Sequence, residues 1–303
     1  MSKIEFKERF KEEIKTKSNV LIHSDLDAAL SSTYLMNKEK HLKLKGVFDI
    51  NCFNTTNKLY LTEEKLHKDE DVFVDLAVSQ EGCMSIDHHM KFSYDAKDFN
   101  VNRLNPKTSN IRNDLNNFHS KCPLNTIILL LWVYGENLLE TFNYKQRLLI
   151  YAADSVWENY KNYRDNFTTW CEYLGLEYIL EELESIKPEE IEEVKKEIYI
   201  HKSGYVHFNY NVNEFYTEKT KISLQQYLDN VCEFMCWDSV DVPEFEWEYL
   251  FDKRSVSYET FDALDKRKLF VSAIPKKQRQ IEVLMYDKRR EIKKLHLVDA
   301  GHL

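Results

Sequence analysis

Glycine is scarce in this chain, with six residues among 303. Loops that cradle phosphate with backbone amides need several closely spaced glycines, and neither GxGxxG nor GxxxxGKS/T occurs. Nucleotide binding through a glycine-rich phosphate loop is therefore excluded. Any phosphate chemistry in this protein has to rely on side chains and bound ions.

Close cysteine pairs and long apolar runs are also missing. The six cysteines form no C-x-x-C pair, so the sequence supports neither a zinc knuckle nor a disulfide framework, and we expect buried, reduced thiols. No uninterrupted apolar run reaches the roughly 18 residues that a membrane span requires. The first 17 residues mix charged and apolar side chains, unlike a signal peptide. These features predict a cytoplasmic protein without a membrane partner.

Positive charge is in deficit, since the formal net charge is -9. A duplex-wide nucleic-acid surface needs many Lys and Arg side chains facing phosphates, so we do not expect one here. Small phosphorylated molecules and short single strands remain possible substrates, because bound divalent cations can supply the positive charge. The hydrophobic content of 43% predicts a folded core, and the length favours about two domains.

Alternating strand and helix patterns cover the first part of the chain. We predict an amphipathic helix over residues 4–16, a buried strand at Val20–Ile22 and further strands at residues 46–50 and 71–75, with a helix between the last two. From Pro123 onward the pattern is typical of buried helices. This order predicts an α/β fold with a mostly parallel sheet flanked by helices.

The composition changes near residue 201, where aromatic stretches such as YVHFNYNVNEFY begin. We therefore predict two domains, residues 1–200 and a smaller, divergent accessory or substrate domain at 201–303. The aromatic side chains of the second part are expected mainly to fill its core, although some could stack nucleic-acid bases.

Three acidic and imidazole side chains follow the first predicted strand. In VLIHSDLDAALSS, an extended chain would direct His23, Asp25 and Asp27 to one side, at the carboxyl end of the strand where α/β sheets bind ligands. The alternative is structural: His23 is a buried histidine with its hydrogen bonds satisfied, and Asp27 is the N-cap of the following helix.

Three further segments carry residues of the same types. Asp75 ends the apolar strand VFVD, where a buried carboxylate needs a cation or a proton. Asp87, His88 and His89 follow the strand-like CMSI, and an Asp before a His pair can orient an imidazole. Asp154 closes an apolar helix. Each has a structural alternative: a strand-end Asp, a surface His pair, or a helix-terminal Asp exposed to water.

Taken in order, these four segments resemble the DHH phosphoesterase superfamily, which includes RecJ-like exonucleases, nano-RNases, cyclic-dinucleotide phosphodiesterases and manganese-dependent pyrophosphatases. The resemblance covers roughly the first 160 residues. It implies that Asp75 bridges two metal ions and that His89 approaches substrate phosphate. The metal ligands that it implies are His23, Asp25, Asp27, Asp75, His88 and Asp154.

Four carboxylates and two imidazoles suit two divalent cations, Mn²⁺ or alternatively Mg²⁺, better than a thiolate zinc site. Two such ions about 3.5 to 4 Å apart can activate a water and steady both oxygens of a phosphoryl displacement. Our hypothesis gives His23 and Asp25 to one metal and a second group to the other, with Asp75 shared. That second group is Asp27, His88 and Asp154.

Basic residues after the DHH segment are candidates for holding substrate phosphate. They are Arg103, Lys107 and Arg112, which surround Asn105-Pro106, and Lys121. Surface charge is the alternative explanation for each one. The glycine-rich GGGH-type motif that many family members carry in their C-terminal domain is missing, so the resemblance leaves the substrate open.

The sequence thus predicts a hydrolase: a metal-dependent phosphodiesterase, with nuclease or exonuclease activity, acting on a short single-stranded oligonucleotide or a small nucleotide. Asp75, His88 and His89 are the candidate catalytic residues. Two alternatives stay open. One is a pyrophosphatase or phosphomonoesterase on the same fold, and the other is a binding or regulatory module without turnover.

Overall fold

The computed structural model describes residues 3–49, 56–79, 83–89, 103–104, 121–197, 207–208, 215–216, 221–257, 260, 264, 269–273 and 280–291. Within them the strands are β1 Asn19–His23, β2 Lys43–Asp49, β3 Thr56–Leu61, β4 Asp71–Val74, β5 Met84–Ile86, β6 Arg103–Leu104, β7 His207–Phe208, β8 Phe215–Tyr216, β9 Lys221–Ile222, β10 Trp247–Ser257, β11 Leu269–Ala273 and β12 Gln280–Glu291. The α-helices are α1 Lys3–Lys15, α2 Leu26–Lys38, α3 Thr126–Tyr134, α4 Leu138–Thr141, α5 Tyr144–Ala152, α6 Val156–Asn162, α7 Arg164–Leu174, α8 Leu180–Ser185, α9 Pro188–Glu197 and α10 Leu224–Met235.

The main sheet has the strand order β11-β12-β10-β3-β2-β1-β4-β5-β6. Its β2-β1-β4-β5-β6 half is parallel, whereas β2-β3, β3-β10, β10-β12 and β12-β11 pair in antiparallel fashion, and the two ladders that β10 forms are the longest. The predicted α/β class is confirmed, but the predicted mostly parallel sheet is wrong. The reason is that β3 returns directly beside β2 and that strands from the last third of the chain pair beside it.

The segment between β2 and β4 was predicted to be a helix and contains β3 instead. In NKLYL the side chains alternate between two apolar cores: Leu59 and Leu61 enter one, and Tyr60 enters the other. A period of two is the pattern of a strand with both faces covered. The described residues between β2 and β4 contain no helix.

Two different layers cover the two faces of the sheet. One core joins β1, β2 and β4 to helices that include α1, α2 and α3, with side chains such as Phe10 and Ile128 fully or nearly buried. The opposite core contains Phe48 and Phe73 together with Phe251 and Phe270 of the C-terminal strands. The sheet therefore curls over, and β10, β11 and β12 cover the face that helices leave open.

This curl closes next to β4. Val78 forms an antiparallel bridge with Val271 of β11, and the Ser79 amide donates to the Phe270 carbonyl at 2.7 Å. The backbone that follows β4 is thus held by a strand from much later in the chain.

Helix ends follow ordinary capping chemistry. The predicted helix over residues 4–16 is confirmed as α1, with Phe6, Phe10 and Ile14 buried. The N-cap of α2 is Asp25, which accepts from the Ala28 amide, and not Asp27 as predicted. An Asp two residues before the expected position was available, and its extended backbone suits an N-cap.

Residues beyond 200 contribute to the same layers as the first part of the chain. Strand β10 pairs with β3, and α10 packs against α2. The Asn37 side-chain amide donates to the Asp238 carbonyl at 3.0 Å, and that of Gln146 donates to the Phe234 carbonyl at 3.1 Å. The division into domains 1–200 and 201–303 stays a prediction.

None of the helices in the described ranges has the length and apolarity needed to cross a membrane.

Candidate metal centre

The candidate residues meet at one edge of the parallel half of the sheet. His23 ends β1, Asp75 directly follows β4, and Asp87 and His88 follow β5. These three strands are neighbours and run parallel, so their carboxyl ends lie together, at the edge where open α/β sheets bind ligands. Asp154 reaches the same place from a 3₁₀ turn after α5.

Asp75 lies at the buried floor of the centre and is 1% exposed. Its φ of 58° places it in the left-handed region, which is unfavourable for a residue with a Cβ. The Thr126 hydroxyl donates to its Oδ1 at 2.8 Å, while no hydrogen bond to its Oδ2 forms within the described part of the chain. Burial, followed by the charges of Asp25 and Asp27, raises the pKa of Asp75 well above its usual value.

His23 and Asp25 form the second part of the floor. The His23 Nδ1 atom lies 2.7 Å from Asp25 Oδ2 and 4.0 Å from Asp75 Oδ2. The other oxygen of Asp25 caps α2 by accepting from the Ala28 amide at 2.9 Å, which fixes the carboxylate. Burial opposes protonation of His23, but the adjacent Asp25 charge prevails and raises the pKa of His23.

Asp27 belongs to a helix and not to the extended segment expected for it. Because α2 begins at Leu26, Asp27 turns toward the start of α3, where its Oδ2 accepts from the Thr126 amide at 2.7 Å and its Oδ1 from the Ile127 amide at 3.1 Å. The expectation that the chain stays extended to Asp27 is therefore wrong. Burial, with the Asp154 charge second, raises the pKa of Asp27 to about 7.

His88 and Asp154 form the more open side of the centre. The His88 Nε2 atom lies 2.9 Å from Asp154 Oδ2. Neighbouring ligands on an octahedral cation at about 2.1 Å lie about 3 Å apart, so this pair has the spacing of one coordination edge. Burial opposes both charges, yet the ion pair raises the pKa of His88 and lowers the pKa of Asp154 to about 2.

Asp154 differs from the helix-terminal Asp of the structural alternative. Its φ is 48°, so a second candidate ligand occupies the left-handed region, and its side chain is 28% exposed. Strained backbone at non-glycine residues concentrates at functional sites, where the surrounding structure enforces it. The strain at Asp75 and Asp154 thus falls on two residues that the sequence had singled out.

Asp87 shapes the turn that presents the histidine pair. Its Oδ1 accepts from the His89 amide at 3.0 Å, and the Ser85 hydroxyl lies 3.1 Å from its Oδ2. The rings of His88 and His89 stack, with centroids 4.3 Å apart. Burial and the neighbouring His88 lower the pKa of His89 to about 4, and its side chain is 32% exposed.

The donor atoms form two groups that share one residue. The first is Asp75, His88, His89 and Asp154, and the second is His23, Asp25 and Asp75; in each, the donor atoms lie within 4.8 Å of one another. Asp75, expected to bridge two metals, is the member common to both. The groups differ from the hypothesis in one position, because the first contains His89 in place of Asp27. Oxygen and imidazole donors around the carboxylate of Asp75 fit divalent cations such as Mn²⁺ or Mg²⁺.

Of the four basic residues predicted to hold substrate phosphate, Lys121 is the one whose side chain is described. The Arg103 backbone lies in β6 at the far edge of the sheet, but its side chain, Lys107 and Arg112 lie outside the described residues, as does Asn105-Pro106. Lys121 precedes α3, and its carbonyl accepts from the Asn166 side chain at 2.8 Å. Their roles stay predictions.

Sequence reasoning missed the start of α3. Asn125 is the N-cap of this helix, and Thr126 contacts three candidate ligands through its hydroxyl and its amide. The Asn-Thr pair before an apolar run is a recognisable helix start. Nothing in the linear pattern, however, places that start against Asp27 and Asp75.

Comparison of the chain with protein-family models, with curated proteins and with solved structures finds no match.

Proposed function

We propose that this protein is a hydrolase built on a two-metal centre, with His23, Asp25, Asp27, Asp75, His88 and Asp154 as its ligands. The observation that carries the proposal is the pair of donor groups joined at the buried Asp75, which contain five of these ligands. Asp27 is included on the strength of the resemblance. A buried carboxylate with an oxygen that accepts no hydrogen bond is costly, and a shared cation is the simplest way to compensate it.

Within this class we propose a phosphodiesterase of the DHH type, on the strength of the residues that resemble that superfamily. When bound, two divalent cations would supply an activated water and positive charge for the phosphoryl oxygens. The chain itself fixes the donors. Asp25 is held by the N-terminus of α2 and Asp27 by the N-terminus of α3. Asp87, which is not a proposed ligand, caps the turn that presents His88 and His89.

His89 is the residue best placed to meet substrate. It lies beside the donor groups and is more exposed than His88, and its low pKa keeps the ring neutral at pH 7. A neutral imidazole can donate one hydrogen bond to a phosphate oxygen. We propose a short single-stranded oligonucleotide or a small nucleotide in the cytoplasm as the substrate, since the net charge of -9 disfavours long duplexes.

An activity screen tests this proposal. The purified chain is assayed with Mn²⁺ and with Mg²⁺ against dinucleotides, cyclic dinucleotides, longer single strands and pyrophosphate, and product lengths are resolved. We expect phosphodiester cleavage in wild type and loss of about 10²-fold or more in Asp75→Asn and Asp154→Asn. Asparagine is chosen because it tolerates the left-handed backbone that both positions require.

Asp238→Asn provides a matched control, because it removes a carboxylate at the surface ion pair with Lys40. It should retain full activity. Phosphate release from pyrophosphate alone would replace the phosphodiesterase by a pyrophosphatase on the same centre. Metal binding without turnover on any substrate would favour a binding module, and absence of both binding and turnover would refute the proposed centre.

A further inference from the structure

Thr126, the first residue of α3, contacts the carboxylate that the two donor groups share and is fully buried. Its hydroxyl donates to Asp75 Oδ1 at 2.8 Å and lies 3.1 Å from His88 Nδ1. Its backbone amide donates to Asp27 Oδ2 at 2.7 Å. One residue thus contacts the shared carboxylate, an imidazole and a second carboxylate.

The number of protons on each group determines which atom donates in these hydrogen bonds. A hydroxyl carries one proton and two lone pairs, and an ionised carboxylate only accepts. When Asp75 is ionised, as a metal ligand must be, the Thr126 proton is committed to Asp75. The Thr126 oxygen can then only accept from His88, which requires a proton on Nδ1.

The surroundings of His88 Nδ1 support the same assignment. Besides the Thr126 oxygen, Asp27 Oδ2 and Asp75 Oδ1 each lie 3.6 Å from this nitrogen. Every one of these neighbours is an oxygen that accepts hydrogen bonds, so a bare Nδ1 lone pair would face only negative or electron-rich atoms. The other ring nitrogen, Nε2, faces Asp154 at 2.9 Å.

The position of Thr126 is itself fixed relative to Asp154. The Asn125 side-chain amide donates to the Ile150 carbonyl at 2.7 Å and to the Ala153 carbonyl at 3.2 Å, and its Oδ1 caps α3 at Ile128. The start of α3 and the turn that carries Asp154 therefore form one hydrogen-bonded unit. The Thr126 hydroxyl is therefore held in place relative to the turn that carries Asp154.

We propose that Thr126 is a positioning residue that retains the proton on His88 Nδ1 and so makes Nε2 the metal-binding atom of His88. This inference rests on the proposed metal centre and names a residue that the resemblance does not supply. The Thr126 hydroxyl sets the tautomer of His88, whereas the Thr126 backbone amide donates a hydrogen bond to Asp27.

Two substitutions separate the hydroxyl from the rest of the residue. Thr126→Val removes the hydroxyl but keeps the size, the β-branch and the hydrogen bond from the backbone amide to Asp27. Thr126→Ser keeps the hydroxyl. Thr33→Val is the matched control: Thr33 is also fully buried in a helix, but its hydroxyl donates to the Ala29 carbonyl at 2.7 Å and touches no candidate ligand.

Mn²⁺ affinity is measured by calorimetry at one pH for all four proteins. Loss of a group that orients a ligand typically weakens metal binding 10- to 100-fold, so we expect a weakening of about that size in Thr126→Val. Thr126→Ser and Thr33→Val should bind like wild type. Thermal melting of the metal-free variants checks that each one folds.

A second readout observes the imidazole directly. In Zn²⁺-loaded wild type, which is diamagnetic, long-range ¹H–¹⁵N spectra should show His88 with a protonated Nδ1 and a metal-bound Nε2. In Thr126→Val the Nδ1 proton should exchange faster with water, and in Thr126→Ser it should be retained.

The outcomes distinguish this inference from the proposed function. If wild type binds neither Mn²⁺ nor Zn²⁺, the metal centre is refuted and the inference falls with it. If wild type binds metal but Thr126→Val binds equally well, or if His88 is metal-bound through Nδ1, only the role of Thr126 is refuted.

Discussion

Replacing Asp75 by asparagine is expected to stabilise the metal-free protein and to abolish its stabilisation by metal. Asp75 is buried beside Asp25, and their donor oxygens lie within 4.8 Å of each other. Two ionised carboxylates at that distance repel by about 3 kcal/mol at an effective dielectric constant of 20. Burial and these neighbours raise the pKa of Asp75, so part of the repulsion is relieved by protonation.

The expected gain is therefore smaller than the bare repulsion. Single stabilising substitutions commonly contribute about 0.5–2 kcal/mol, and we expect Asp75→Asn to fall in this range. With an unfolding entropy of about 2.1 cal/mol/K per residue, a gain of 1–2 kcal/mol raises the Tm of a 303-residue chain by about 2–3 °C. Asparagine also keeps an oxygen that can accept from Thr126 and tolerates the φ of 58°.

With Mn²⁺ bound, wild type should melt at a higher temperature than Asp75→Asn, the reverse of the order in EDTA. A ligand present at about 100-fold its Kd stabilises the folded state by about 2.7 kcal/mol, or about 4 °C here. Wild type should show that shift with Mn²⁺, and Asp75→Asn should show almost none. The assay is thermal melting at pH 8 of both proteins, each with EDTA and with Mn²⁺.

Asp75→Ala separates the effect of the buried charge on stability from the effect of the left-handed backbone. It also removes the buried charge, but alanine in the left-handed region costs about 1–2 kcal/mol, so this variant should melt below Asp75→Asn. A lower Tm of Asp75→Asn than of wild type in EDTA would refute the argument from the buried carboxylate. An undiminished Mn²⁺ shift in Asp75→Asn would refute the ligand role.

Other expectations concern pH and the framework of the sheet. Burial raises the pKa values of Asp27 and Asp49 to about 7, so their contribution to the stability of metal-free protein is present at low pH and lost as pH rises through 7. Deprotonation of each carboxyl group should lower the free energy of unfolding by about 1 kcal/mol between pH 6 and 8. Urea titration in EDTA measures this change, and a free energy of unfolding that does not vary with pH would contradict it. Lys45→Met leaves the buried carboxylate of Asp71 without its ion-pair partner at 3.0 Å and should cost about 3–5 kcal/mol in the same assay while leaving Mn²⁺ affinity unchanged. Gly46→Ala would place a Cβ 2.6 Å from a backbone carbonyl of β3 and should cost about 1–3 kcal/mol, whereas an unchanged urea midpoint would show that the strands separate easily.

The sequence predicted the parts of the centre that depend on local pattern. His23, Asp75 and His88 each follow a short apolar segment, and we predicted that they are ligands of one metal centre. In the structure these residues lie together at one edge of the sheet. The sequence pattern therefore predicted which residues are candidate ligands and that they follow strands of the sheet.

The rest depends on contacts between distant segments. Asp27 accepts from amides at the start of α3, about 100 residues later in the chain, and Asp75 and Asp154 have left-handed backbone without being glycine. The curl of the sheet requires β10 to pair with β3 across most of the chain. Such pairings leave no periodic trace in the residues that form them, so an expectation based on alternating elements produced a parallel sheet.

The bridge between Val78 and Val271 has a consequence for how the protein is made. All six proposed ligands leave the ribosome before β11 does, yet the backbone three residues beyond Asp75 gains its partner only when β11 arrives. Contacts of such long sequence separation form slowly, because a large loop has to close first. Newly synthesised chains should therefore acquire their metal affinity last, after the C-terminal strands have closed over the sheet.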